Sequence, residues 1–155
     1  MYKKILAPLD GSGFSECSLE HVRTVAIGCQ VPEVVLLMVV EPIKTIAYAE
    51  TSGDWVAEKE KHNQAEAEKY LSELAENLEG EGVVVQAAVI HGNPAEEILD
   101  YAKNNQVGLI VMSTHGRSGI SRWAFGSVTD RVLRHSAVPV LITPPPGRIS
   151  GESRD

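Results

Sequence analysis

Five short apolar runs, separated by segments of helical period, predict an α/β fold built on an open five-stranded parallel sheet with helices on both faces. The runs are mostly continuous rather than alternating, which suits strands buried on both faces. They are rich in β-branched residues, which fit a pleated surface. The resulting order, β-α-β-α-β-α-β-α-β, calls for right-handed crossovers between neighbouring strands.

The strands are expected at Ile5–Leu9, Val34–Val40, Val83–Ile90, Leu109–Met112 and Val138–Ile142. In the first helical segment Leu19, Val22 and Ala26 share a face, and in the second Ala67, Leu71, Leu74 and Leu78 recur at helical spacing. The third starts at Asn93, an N-cap followed by Pro94 at the first helical position and by Glu96 in a capping-box pattern. Its inward face is Ala95, Ile98, Leu99 and Ala102. The fourth opens at Gly126-Ser127, with Asp130 three residues after the Ser, and turns Phe125, Val128 and Val132 inward. Glu41 to Trp55 reads as an irregular linker of lid or loop type. The tail from Thr143, through Pro144-Pro145-Pro146-Gly147, is expected to fray rather than continue a strand. Residues 1–143 are therefore expected to form one domain, with 144–155 a flexible tail.

Composition narrows the function. Twenty-one acidic against 14 basic residues give a formal net charge of -7, which disfavours a nucleic-acid or anionic-membrane binder. The longest apolar run, Val34–Val40, is far shorter than the ~20 residues of a membrane span. Lys3-Lys4 resembles the start of a leader, but Pro8 and Asp10 interrupt the apolar stretch that would have to follow. Cys17 and Cys29 form no CxxC and read as packing residues. The expectation is a reduced, cytoplasmic chain.

In open α/β sheets ligands bind beyond the carboxyl ends of the strands, where strand order reverses. The loop after the fourth strand, Ser113-Thr114-His115-Gly116-Arg117-Ser118-Gly119, leads to Gly126-Ser127 and has the most chemical content. Its glycines allow close backbone approach, its hydroxyls donate, and free N–H groups at the next helix start favour an anion. From Val111 to His135 four arginines (117, 122, 131 and 134) stand against one aspartate, a local charge of +3 in an acidic chain. That reversal points to a phosphate-bearing small molecule, although the glycines alone would also serve a simple turn. No GxxxxGK[ST] P-loop is present, and Gly11-Ser12-Gly13-Phe14-Ser15-Glu16 lacks the third glycine of a dinucleotide fingerprint.

The stretch VMSTHGRSGISRWAFGSVTDRVLRHSAVPVLI, from Val111 to Ile142, resembles the C-terminal signature of the universal stress protein family, and the opening KKILAPLDGS resembles its first strand and loop. The resemblance implies a Rossmann-like, adenine nucleotide alpha hydrolase-like fold that binds ATP, with or without Mg²⁺. Nucleotide-binding members carry Gly-x2-Gly-x9-Gly-[Ser/Thr]. Gly116 and Gly126-Ser127 match its last elements, whereas Ser113 stands at the first glycine and places a side chain there. By position, Pro8, Leu9, Asp10 and Val39 would form the adenosine pocket, with Asp10 at the ribose and the backbone near Val39 at the adenine edge. Met112, Ser113, Gly116, Arg117, Gly126, Ser127 and Val128 would line the phosphate path.

Several residues have plainer readings. Asp10 is also a natural turn former. His115 has no visible nucleophile partner. His62 and Glu66, at i and i+4, suit a solvated face better than a metal site. Val138–Ile142 has no charge to protect a sheet edge, and the resemblance implies that this strand pairs with its copy in a homodimer. A stress-response regulator that binds ATP and signals by occupancy is the leading expectation. A slow ATPase or nucleotidyl-transfer enzyme using Asp10 and His115 is the alternative, and Ser113 leaves open a module that binds no nucleotide. No general base, Mg²⁺ carboxylate pair or P-loop lysine is evident in the sequence.

Overall fold

The computed structural model of the chain describes residues 2–43, 53–80, 82–115 and 125–144. Along them run β1 (Lys4–Leu9), α1 (Gly13–Glu16), α2 (Leu19–Gly28), β2 (Glu33–Val40), α3 (Gly53–Leu78), β3 (Val84–His91), α4 (Pro94–Asn104), β4 (Leu109–Ser113), α5 (Ser127–His135) and β5 (Val140–Thr143). The five strands form one sheet in the order β3-β2-β1-β4-β5, with every neighbouring pair parallel. The chain steps outward from β1 to β3 and then returns to the other side of β1 with β4, so strand order reverses between β1 and β4. Among the described residues no helix is long and apolar enough to cross a membrane.

The two faces of the sheet bury separate cores, which is why its strands read as continuous apolar runs. On one face Ile5, Ala7 and Leu9 of β1 and Leu36 of β2 pack with Val22 and Ala26 of α2 and Ala67 and Leu71 of α3. On the other, Leu6, Leu37, Ile110 and Met112 pack with Ile98 and Ala102 of α4 and Val132 of α5. Each fully buried leucine or isoleucine contributes roughly 1.5–3 kcal/mol by leaving water. The helical periods seen in the sequence thus point at these cores, with Leu19, Leu74, Leu78 and Leu99 at their margins.

A proline shapes the sheet at the reversal. Lys4 presents its carbonyl to Gly108 N at 2.9 Å, on the β4 side. Backbone groups alternate sides along a strand, so Pro8 faces β4 as well. It has no N–H to donate. The β1–β4 pairing accordingly ends at Leu6↔Ile110, whereas β1–β2 pairing continues to Leu9↔Met38. The carboxyl ends of β1 and β4 are therefore not joined by the ladder.

Several expectations are corrected. Trp55 belongs to α3 (Gly53–Leu78) rather than to a linker, and residues 44–52 of the expected linker lie outside the described residues. Thr143 continues β5 instead of fraying: it pairs with Ser113, is buried, and its hydroxyl donates to the Met112 carbonyl at 3.4 Å. β5 starts at Val140 rather than Val138, because the Val138 N–H and carbonyl are both engaged by the Ser136 hydroxyl and Pro139 has no N–H. Phe125 is 45% exposed, since it precedes the helix and escapes its inward face. Cys29, the C-cap of α2, is exposed rather than packed inside, whereas Cys17 is half-buried. Residues 145–155 of the tail are outside the described residues.

Candidate functional site

The reversal between β1 and β4 opens into a cleft of about 690 Å³. Pro8, Leu9, Asp10, Val39, Met112, Ser113, Gly126, Ser127 and Val128 all line it. They come from the ends of three strands and the start of α5, and the fold alone brings them together. Gly116 and Arg117, the other two positions expected to bind, lie outside the described residues.

At the end of β1, Asp10 fulfils the plain reading and still borders the cleft. Its Oδ1 accepts from Ser12 N at 3.0 Å and from the Ser12 hydroxyl at 2.6 Å, closing an Asx turn. The Ser15 hydroxyl donates to the Ser12 carbonyl at 2.9 Å and accepts from Asp10 N at 3.3 Å. Between them Gly11 takes φ +80°, a conformation that suits glycine. The carboxylate is thus held in one place by its own loop.

At the end of β2, Val40 directs its carbonyl to Gly92 N, on the β3 side, at 3.1 Å. By the same alternation the Val39 carbonyl faces the opposite side, just past the last β1–β2 rung at Leu9↔Met38. A backbone acceptor is therefore presented over the end of β1.

The third wall is the start of α5. Gly126 is its N-cap and supplies no side-chain capping bond, so the first-turn N–H groups of this nine-residue helix are not capped from within. Two bonds fix the helix to the end of β4: Gly126 N donates to the Thr114 carbonyl at 2.9 Å, and the buried Thr129 hydroxyl donates to the Ser113 carbonyl at 3.0 Å. Ser113 is itself buried, and its hydroxyl donates to the His115 carbonyl at 2.6 Å. His115 is buried beside the cleft, with Nδ1 3.0 Å from the Thr114 hydroxyl.

The electrostatics depart from the expectation drawn from local charge. Arg131 pairs with Glu96 at 2.8 Å, and Arg134 pairs with Asp130 at 2.9 Å, which raises the Arg134 pKa through the hydrogen bond and the charge of Asp130. Neither arginine lines the cleft. Of the +3 segment, only Arg117 and Arg122 are left to meet a phosphate, and both lie outside the described residues. Asp130 likewise serves Arg134, and the N-cap of the helix is Gly126. Among the described lining residues the acidic side chains are Asp10, Glu41 and Glu66, and the one basic side chain is His115.

One wall was not foreseen. Asn63, Glu66, Ala67 and Tyr70 of α3 close the cleft on the side of β2. The Tyr70 hydroxyl donates to Glu16 Oε1 at 2.8 Å and joins α3 to α1. Glu66 meets His62 at 3.4 Å on an exposed face, and no cluster of metal-ligating side chains occurs among the described residues. The signal was present in the spacing. Asn63 lies one turn before the buried Ala67, in the half of α3 nearer the carboxyl end of β2, where the helix borders the cleft.

Comparison with known proteins agrees with this architecture. The model of the universal stress protein family matches residues 1–144. Universal stress protein MJ0531 of Methanocaldococcus jannaschii is 34% identical over 147 residues, covering 94% of this chain and 84% of that protein. The solved structure of MJ0577, from the same organism, superposes with a TM-score of 0.82 at 32% identity, covering 95% of this chain and 99% of its own. Two more distant structures share the fold: a universal stress protein in complex with cAMP (TM-score 0.68, 20% identity, 92% of this chain and 97% of its own) and an Arabidopsis thaliana family protein with AMP bound (0.63, 18%, 94% and 93%). With the family model spanning nearly the whole chain and the cleft lying where its sheet reverses, this protein belongs to the universal stress protein family.

Proposed function

We propose that the chain binds ATP, alone or with Mg²⁺, in the cleft between β1 and β4, and acts as a cytoplasmic stress-response regulator that signals by nucleotide occupancy. The observation that carries this reading is convergence: eight positions from the opening and closing motifs of the sequence, with Val39 from the end of β2, border one cleft. In it the Val39 carbonyl meets the adenine edge, Asp10 the ribose, and the first-turn N–H groups of α5 with Ser127 the phosphates. The adenine preference extends to this chain what its fold relatives bind, cAMP and AMP. Ser113, at the first glycine of the motif, does not oppose the reading, because its hydroxyl is engaged by the His115 carbonyl. Mass spectrometry of gently denatured protein, purified from cells and after feeding with ATP, tests it. Released ATP or ADP is expected, and a nucleotide-free protein after both preparations overturns it.

The regulator works as a homodimer through its last strand. β5 is an edge of the sheet, and the stretch Val138 to Ile142 has no charge, with Leu141 36% exposed on it. Such an edge invites pairing with its own copy about a two-fold axis. Equilibrium ultracentrifugation at micromolar concentration is expected to give twice the 16.8 kDa chain mass, and a monomer contradicts the pairing.

A further inference from the structure

Resting on the adenine-nucleotide reading, we propose that Asn63 reads the N6/N7 edge of the purine and makes the site selective for adenine. The cleft has two unlike ends. Uncapped helix N–H groups gather at α5, whereas Glu41 and Glu66 place carboxylates at the end bordered by β2 and α3. Phosphates are drawn to the first and repelled from the second, so the base lies against α3.

The side chains of that wall are engaged, with one exception. Tyr70 is bonded to Glu16 and Glu66 meets His62, while Ala67 has no polar group. Just outside the cleft, Gln64 donates to Glu68 at 2.8 Å and meets His91 Nε2 at 3.0 Å. Asn63 is half-buried, lines the cleft, and its amide has no hydrogen-bond partner among the described residues. It stands one turn before Ala67, whose burial fixes α3 against the sheet, and it lines the cleft together with Val39 and Val40 at the end of β2. A carboxamide carries a donor and an acceptor in one plane, the pair that adenine complements through N7 and its N6 amino group. The Val39 carbonyl accepts the second N6 hydrogen from the side of the sheet.

Titration calorimetry with ATP, 7-deaza-ATP and inosine triphosphate tests the assignment on the full chain. The first analogue lacks the N7 acceptor and the second carries oxygen in place of the N6 amino group. The wild-type protein is expected to prefer ATP over each by roughly tenfold, the scale of a bidentate amide–adenine contact. Asn63→Ala should remove the preference over 7-deaza-ATP and reduce that over inosine triphosphate. Asn63→Asp, which keeps the acceptor and loses the donor, should remove only the preference over 7-deaza-ATP. Failure of the wild type to bind ATP overturns the nucleotide reading itself. ATP binding whose ligand ratios are unchanged in both variants, or a uniform fall for all three ligands, overturns the role of Asn63 alone.

Discussion

The Ser113 hydroxyl donates to the His115 carbonyl across 2.6 Å, so the side chain that departs from the glycine motif is tied inside its own loop. Both residues are buried, and the carbonyl of Ser113 also receives the Thr129 hydroxyl. The serine thus ties down the turn after β4 in place of a glycine's freedom. Ser113→Gly should lower stability by about 1–2 kcal/mol, from the lost bond and the added backbone entropy, and leave ATP affinity within about threefold. Chemical denaturation and calorimetry check the two halves. A gain in affinity of tenfold or more would show that the serine obstructs the site.

Thr129 fixes the start of α5 to the end of β4 through one buried hydroxyl. Thr129→Val keeps the shape and removes this donor from the buried Ser113 carbonyl. A loss of about 1–3 kcal/mol is expected, read as a melting temperature several degrees lower. An unchanged melting temperature would mean that this bond does not hold the helix in place.

The Arg131–Glu96 pair joins α5 to α4 in solvent, with both side chains more than half exposed. Arg131→Ala should therefore cost about 0–1 kcal/mol and leave nucleotide affinity unchanged. A marked affinity loss in that variant would return Arg131 to the phosphate path, where local charge alone had placed it.

Cys17 and Cys29 differ in environment. Burial pushes the Cys17 thiol up, and its hydrogen bond with Thr143 opposes the shift only in part. A raised pKa leaves less thiolate, so Cys29 should alkylate faster than Cys17 at pH 8, and denaturant should equalise them. For stability the sign follows: the folded state holds the Cys17 proton more tightly, and this contribution is lost as pH rises through the folded-state pKa. Equal labelling rates in the native protein would contradict the difference.

Most of the fold was legible because a two-face sheet leaves a direct record. Ile5–Leu9 and Val34–Val40 are apolar at every or nearly every position because neighbouring residues enter opposite cores. The α4 start was equally plain, as the Asn93 side chain does accept from Glu96 N at 3.4 Å. What escaped depended on distance along the chain or on level rather than face. Glu96 lies 35 residues from Arg131, so no local charge count could reveal that the arginine was already paired. The period of α3 identified Ala67 and Leu71 as inward, yet only the end of the sheet decides that Asn63, on the same side, borders a cleft instead of a core. Phe125 was misassigned for the opposite reason, since it lies just before the helix whose period it seemed to share.

The central claim is that the start of α5 receives the nucleotide phosphates, and Gly126→Asp tests it most directly. Gly126 has φ -59° and ψ 153°, open to any residue, and aspartate is a favoured N-cap, so the fold should keep or gain stability. The new carboxylate would take up the first-turn N–H groups and repel phosphate. Calorimetric titration with ATP should show affinity at least about tenfold weaker than wild type, with an undiminished melting temperature. Unchanged affinity in a folded variant would contradict the account.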